Sequence, residues 1–207
     1  GSNCDRDMAV ALETVSGQKP HMVWHGDSEL PPGLDVIAIP GGFSYGDYLR
    51  SGAMASRSNI IKPVIEAANR GVKILGVCNG FQILTETGLL PGALMRNSNI
   101  HFVCKDAELD VVNTGTIFSP GYYSKTPITI PGPNHDAIFF ADDKTLDRLE
   151  NENQTVFRYN NNINVSPPMK AVTTKKQGKS LGRMRHRERQ LDKKHAVIEV
   201  LPFSETL

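Results

Sequence analysis

The sequence has no CxxC pair, and its three cysteines, Cys4, Cys78 and Cys104, are odd in number and far apart. That pattern disfavours both a disulfide framework and a thiolate zinc site, and it fits a reducing compartment, the cytoplasm. No apolar run is long enough to span a bilayer, and no charged n-region leads into an apolar h-region, so neither membrane insertion nor secretion is expected. An excess of one charge sign is missing too: 23 Lys and Arg stand against 22 Asp and Glu, a formal net charge of +1. Binding to nucleic acid usually needs a clear basic surplus to neutralise phosphates, so nucleic acid is not expected as a ligand. One stretch departs from this balance. Between Lys170 and Lys194 basic residues far outnumber Glu188 and Asp192, which leaves a basic RNA-associated tail as the lowest-ranked reading. Internal repeats are absent, and no G-K-[ST] follows the Gly41-Gly42 pair to make it a Walker-type phosphate loop.

What remains is ordinary globular composition, 39% hydrophobic and 22% charged, in 207 residues, enough for one sizeable core. Asp5 to Val15 carries Met8, Ala11, Leu12 and Val15 at helical spacing, with Gly17 as a stop. Apolar runs follow at Met22–Trp24 and Leu34–Ile39, the second continuous enough for a strand buried on both faces of a parallel sheet. Ser58 or Asn59 can cap a helix with a buried stripe of Ile60, Ile61, Val64, Ile65 and Ala68, ended by Gly71. A buried strand at Val72–Val77 leads through Cys78 into a short helix that runs to about Thr87, with Gly88 behind it. Alternating strands and helices over the first ninety residues predict a doubly wound α/β fold, a mostly parallel sheet flanked by helices in the flavodoxin-like manner. From Ala93 the texture shifts to short β-like pieces such as Ile100–Cys104 and Leu109–Val112, a small antiparallel excursion. A helix at Asp142–Glu150, capped by Ala141 or Asp142, precedes a strand at Thr155–Tyr159 and an Asn-rich turn at Asn160–Asn162. Residues 164–180 match no recognisable pattern, and 164–207 are treated as a divergent C-terminal part of a single domain spanning 1–207.

The chemistry is concentrated in Lys73-Ile-Leu-Gly-Val-Cys78-Asn-Gly-Phe-Gln82. A cysteine stands between a buried strand and a helix, with Gly76 and Gly80 two residues to either side, the form of a nucleophile elbow. Small residues there let strand and helix backbones approach, and the helix N-terminus favours the reactive thiolate over the thiol. Earlier in the chain, Gly41-Gly42 follows a strand and leaves backbone N–H groups open, able to hold the oxyanion of a tetrahedral intermediate; the plain alternative is a Pro-Gly-Gly turn.

G-x-C-x-G followed by F-Q resembles the glutaminase domains of class I amidotransferases. The segments Ile39–Arg50 (I-P-G-G-F-S-Y-G-D-Y-L-R), Gly1–Asp7 (G-S-N-C-D-R-D) and Gly88–Asn97 (G-L-L-P-G-A-L-M-R-N) narrow this: the chain is similar to the glutaminase subunit of phosphoribosylformylglycinamidine synthase, of purine biosynthesis. The likeness is nearly continuous from residue 1 to about 104 and patchier to about 159. It implies that Gly42 and Phe43 form the oxyanion hole and that Asn79 and Gln82 lie beside the substrate. It further implies glutamine as substrate, no cofactor in this chain, and delivery of ammonia to a large synthetase subunit carrying ATP and magnesium, with a small bridging subunit.

A cysteine nucleophile needs a proton acceptor, and His21, His25, His101, His135, His186 and His195 are the choices. Met184-Arg-His186-Arg-Glu188-Arg189 sets His186 and Glu188 two apart, on one side of an extended segment, so the carboxylate can orient the imidazole. The resembling family has the same M-x-H-x-E-R frame with proline at both x positions, where this chain has Arg185 and Arg187. Asn134 stands where that family expects histidine, ahead of family-like His135 and Asp136. The family also places a hydrophobic strand before G-S-N-C-D-R-D, so a chain lacking its first strand is expected, an engineered Gly1-Ser2 being the alternative. The expected activity is hydrolysis of glutamine with Cys78, His186 and Glu188 as catalytic residues. The rival is a silent partner-binding subunit that keeps the fold and has lost the triad.

Overall fold

In a computed structural model the described residues are 3–42, 50–96, 103–104, 107–116, 118–119, 127–130, 133–134, 136–159, 170–173 and 179–183. The first half begins with helix α1 (Asp5–Ser16), which buries Met8 and Ala11 and ends at Gly17. Strand β1 (Val36–Ile39) and the short helix α2 (Arg50–Ala55) follow. Helix α3 (Ile61–Arg70) then leads into strand β2 (Lys73–Val77), and helix α4 (Asn79–Glu86) starts directly after Cys78. The second half is richer in strands: β3 (Ala93–Arg96), β4 (Val103–Cys104), β5 (Ala107–Val111), β6 (Pro127–Ile130), β7 (Pro133–Asn134) and β8 (Asp136–Phe140). Helix α5 (Asp143–Asn151) precedes β9 (Thr155–Tyr159), β10 (Lys170–Thr173) and β11 (Ser180–Arg183).

Seven strands share one sheet in the order β1-β2-β11-β10-β9-β5-β6, and β3-β8 and β4-β7 form two small separate sheets. β1, β2 and β11 run parallel. Beyond β11 every pairing is antiparallel, so the antiparallel strands both extend the main sheet and make the small ones. The core gathers on β2 and α4, where Ile74, Leu75, Val77, Phe81 and Leu84 are buried with Leu90, Phe139 and Leu181. Among the described residues no helix is long and apolar enough to cross a membrane.

Several expected elements differ in detail. Met22–Trp24 forms no strand and is exposed. The run expected at Leu34–Ile39 is a strand only from Val36, half-buried throughout, because β2 is its one neighbour in the sheet. Helix α3 is capped at Ile60 without a side-chain bond, since Ser58 donates its hydroxyl to the Ala55 carbonyl (2.7 Å) and Asn59 its amide to the Gly26 carbonyl (3.1 Å). Its buried stripe is Ile61, Val64 and Ala67. Asp142 caps α5 as expected, accepting from the Thr145 N–H at 2.7 Å. The hydrogen bonds from Thr145, side chain first and then backbone, hold the Asp142 carboxyl below its ordinary range.

Candidate active site

β2 is flanked by parallel β1 and β11, so its carboxyl end sits inside the parallel part of the sheet, where open α/β sheets place their ligands. Cys78 occupies that end. Its backbone has φ +52° and ψ −112°, a conformation that costs a side-chain-bearing residue about 1–3 kcal/mol. The Cys78 carbonyl then accepts from Phe81 N–H (2.9 Å) and Gln82 N–H (3.3 Å), which starts α4 without any loop. The turn is sharp enough to place the sulfur at the N-terminus of α4.

Both flanking glycines are required by close approach. A Cβ at Gly80 would stand 2.0 Å from the Ile39 carbonyl oxygen, and one at Gly76 would stand 2.6 Å from Leu84 and 2.7 Å from the Gly80 oxygen. Helix α4 therefore rests on the ends of β1 and β2 at backbone distance. This brings the loop after β1 to the nucleophile. Gly41 and Gly42 are buried, and Gly42 adopts φ +149°, which L side chains rarely reach.

Asn79, 9% exposed, donates its side-chain amide to the Gly42 carbonyl, and its Oδ1 lies 4.0 Å from the Cys78 sulfur. On the next turn Gln82 is 1% exposed, and neither its Nε2 nor its Oε1 has a hydrogen-bond partner among the described residues. Leaving a buried amide unsatisfied costs about 1–3 kcal/mol per group. Cys78 itself is 3% exposed, and neither it nor Cys4 is in a disulfide. No group of three or more His, Cys, Asp or Glu side chains among the described residues could hold a metal ion.

Phe43, His135, His186 and Glu188 lie outside the described residues, as do Arg185, Arg187 and the Asn160–Asn162 turn. The structure thus joins Cys78, Asn79, Gln82 and Gly42 in one place. His21 and His25 are exposed in the N-terminal part. Two glycines at this site escaped the sequence reading. A Cβ at Gly182 in β11 would stand 2.1 Å from Phe81, and one at Gly52 in α2 would stand 2.8 Å from Cβ of Gln82. A lone glycine inside the short strand Ser-Leu-Gly-Arg was the available signal for the first.

A strained cysteine stands at a strand-to-helix bend, and the residue after it is hydrogen-bonded to a buried glycine pair. Comparison with known proteins identifies the family. The family model described as CobB/CobQ-like glutamine amidotransferase domain matches residues 1–198. The phosphoribosylformylglycinamidine synthase subunit PurQ of Novosphingobium aromaticivorans is 58% identical over 94% of this chain and 87% of its own length. That of Zymomonas mobilis is 53% identical over 94% and 88%. Among solved structures, a chain in the structure of PurLQS from Thermotoga maritima aligns with a TM-score of 0.84 at 36% identity, covering 100% of this chain and 91% of that one. The chain belongs to the class I glutamine amidotransferases, within the family of phosphoribosylformylglycinamidine synthase glutaminase subunits.

Proposed function

We propose that this chain hydrolyses glutamine to glutamate and ammonia for phosphoribosylformylglycinamidine synthase, with Cys78 as the nucleophile. The observation that carries the reading is the strained φ of Cys78 between β2 and α4, a conformation held in place by Gly76 and Gly80. The Cys78 thiolate attacks the side-chain amide carbon of glutamine, and the carbonyl oxygen becomes an oxyanion facing the N–H groups of Gly42 and Phe43. His186 accepts the thiol proton and returns it to the departing nitrogen, which leaves as ammonia. The resulting γ-glutamyl thioester is cleaved by water, activated by the same imidazole, to give glutamate and free thiol. Glu188 orients His186. Gln82, with its unsatisfied buried amide, is the group beside the substrate that this pocket favours.

Strand register supports the assignment of His186. Arg183, the last residue of β11, pairs with Val77, the residue before Cys78 on the neighbouring strand. Adjacent strands lie about 4.8 Å apart, and three further residues span up to about 10 Å, a reach sufficient to bring an imidazole to the sulfur. No step in this chain calls for a cofactor. ATP and magnesium belong to the large synthetase subunit, and a small bridging subunit completes the cytoplasmic complex.

Replacement of the nucleophile is the direct test. In the complex reconstituted with its synthetase, Cys78→Ala removes glutamine-dependent synthesis and leaves synthesis from added ammonium salt intact. Glutamine-dependent turnover surviving in that variant defeats the assignment.

A further inference from the structure

Two successive carbonyls of the loop after β1 are held from opposite elements. The Gly41 carbonyl accepts from the Cys4 N–H at 3.3 Å, at the start of α1, and the Gly42 carbonyl accepts from the Asn79 side-chain amide, in the first turn of α4. Gly41, Gly42, Cys4 and Asn79 are all buried, so neither bond is readily exchanged for water. A trans peptide keeps its N–H opposite its C=O. Holding a carbonyl therefore fixes the direction of the N–H on the same peptide. The Gly41 bond fixes the peptide that supplies the Gly42 N–H, and the Asn79 bond restrains Gly42 from its other side. One amide hydrogen of Asn79 is committed to Gly42, and its oxygen lies 4.0 Å from the Cys78 sulfur.

We propose that Asn79 is a positioning residue for the oxyanion hole, locking the Gly42 peptide at the nucleophile, rather than a contact for glutamine as the family resemblance implies. A glycine at φ +149° has no side chain of its own to hold its orientation, and an outside hydrogen bond supplies such a restraint. Asn79 suits the task because it is the residue next to the nucleophile: the loop and the sulfur are set by one rigid turn. The inference rests on the role of Cys78 given above. It assigns the second residue of the elbow to the transition state and leaves recognition of the ground-state substrate to others.

The test compares Asn79→Asp, which keeps the shape and removes the donor, with Asn79→Ala in the full chain bound to its synthetase. Steady-state kcat and KM for glutamine are measured together with the affinity for glutamate γ-semialdehyde, whose thiohemiacetal with Cys78 places an oxygen in the oxyanion position. Both variants are expected to lose about 10- to 100-fold in kcat, the scale of a weakened oxyanion donor, with KM changed less than about threefold. Affinity for the aldehyde should fall in step with kcat. Synthesis from added ammonium stays at the parent level, which establishes that the variants fold and bind the synthetase. Should Asn79→Ala fail that control, Asn79→Asp decides alone. A rise in KM as large as the fall in kcat makes Asn79 a substrate contact and overturns the proposal, as does a kcat that is unchanged or increased. Retained turnover in Cys78→Ala would instead remove the reading beneath it.

Discussion

Two apolar runs of this chain meet opposite fates. Lys73–Val77 lies between two parallel neighbours, and its Ile74, Leu75 and Val77 are at most 1% exposed. Met22–Trp24 pairs with no strand among the described residues, and its side chains are 58%, 37% and 65% exposed. Both have the composition of a buried strand. Apolar side chains favour burial, but a strand must also place its N–H and C=O groups, and only a neighbouring strand takes a whole edge. β1 shows the intermediate case, with one neighbour and every residue half-buried. Partners decide whether hydrophobicity becomes structure, and Cys78 sits at the end of a strand with a neighbour on each side.

The sharpest way to break this comparison is to disturb that strand end. Gly80→Ala sets a methyl group 2.0 Å from the Ile39 carbonyl oxygen, a backbone atom with no rotamer to yield. Overpacking against backbone should cost about 3 kcal/mol or more, and the retreat of α4 should carry Cys78 and Asn79 away from Gly42 with loss of turnover. Chemical denaturation and glutaminase assays report the two effects. A cost under about 1 kcal/mol would mean that the elbow is looser than its contacts indicate.

The sequence was most legible where structure is local. The elbow reads directly from Val72 to Gly88 because strand, bend, helix and stop are contiguous, and β9 appears at Thr155–Tyr159, the residues expected for it. The cap of α3 was misread because Ser58 and Asn59 are each bonded elsewhere, to Ala55 and across to Gly26, and a capping residue type does not reveal its competing partners. β10 and β11 were not read at all. Lys-Ala-Val-Thr and Ser-Leu-Gly-Arg hold too few apolar residues to show a period, and β11 is a strand because β2, a hundred residues earlier, offers an open edge. The same limit covers the site. Cys78 announces itself through its glycines, whereas the bond from Asn79 to Gly42 joins two motifs that only folding brings together.

A smaller effect probes the local side of the comparison. Asp142 is fully exposed, and hydrogen bonds from Thr145 hold its carboxyl below the ordinary range. A depressed folded-state value means that its contribution is complete above the unfolded value of about 4 and is lost as pH falls through the lowered folded one. Asp142→Ala should lower the melting temperature slightly at neutral pH, and the gap from the parent should close in acid below pH about 4. An equal gap at both pH values would show that the cap works by shape and not by charge.

The smallest expected effect concerns the run that found no partner. Met22 and Trp24 are the most exposed large apolar side chains among the described residues, and the described contacts of Trp24 are local: a ring contact with His25 and a tight turn closed by Asp27. Burial yields about 25 cal/mol per Å² of apolar surface removed from water, and side chains left largely in water contribute little of it. Met22→Ser combined with Trp24→Ser should therefore change unfolding free energy by no more than about 0.5 kcal/mol, while improving solubility at high concentration. Denaturant midpoints decide the matter. A loss above about 2 kcal/mol would mean that this run is covered in solution, and the contrast with Lys73–Val77 would then measure when each strand finds its partner and not whether it has one.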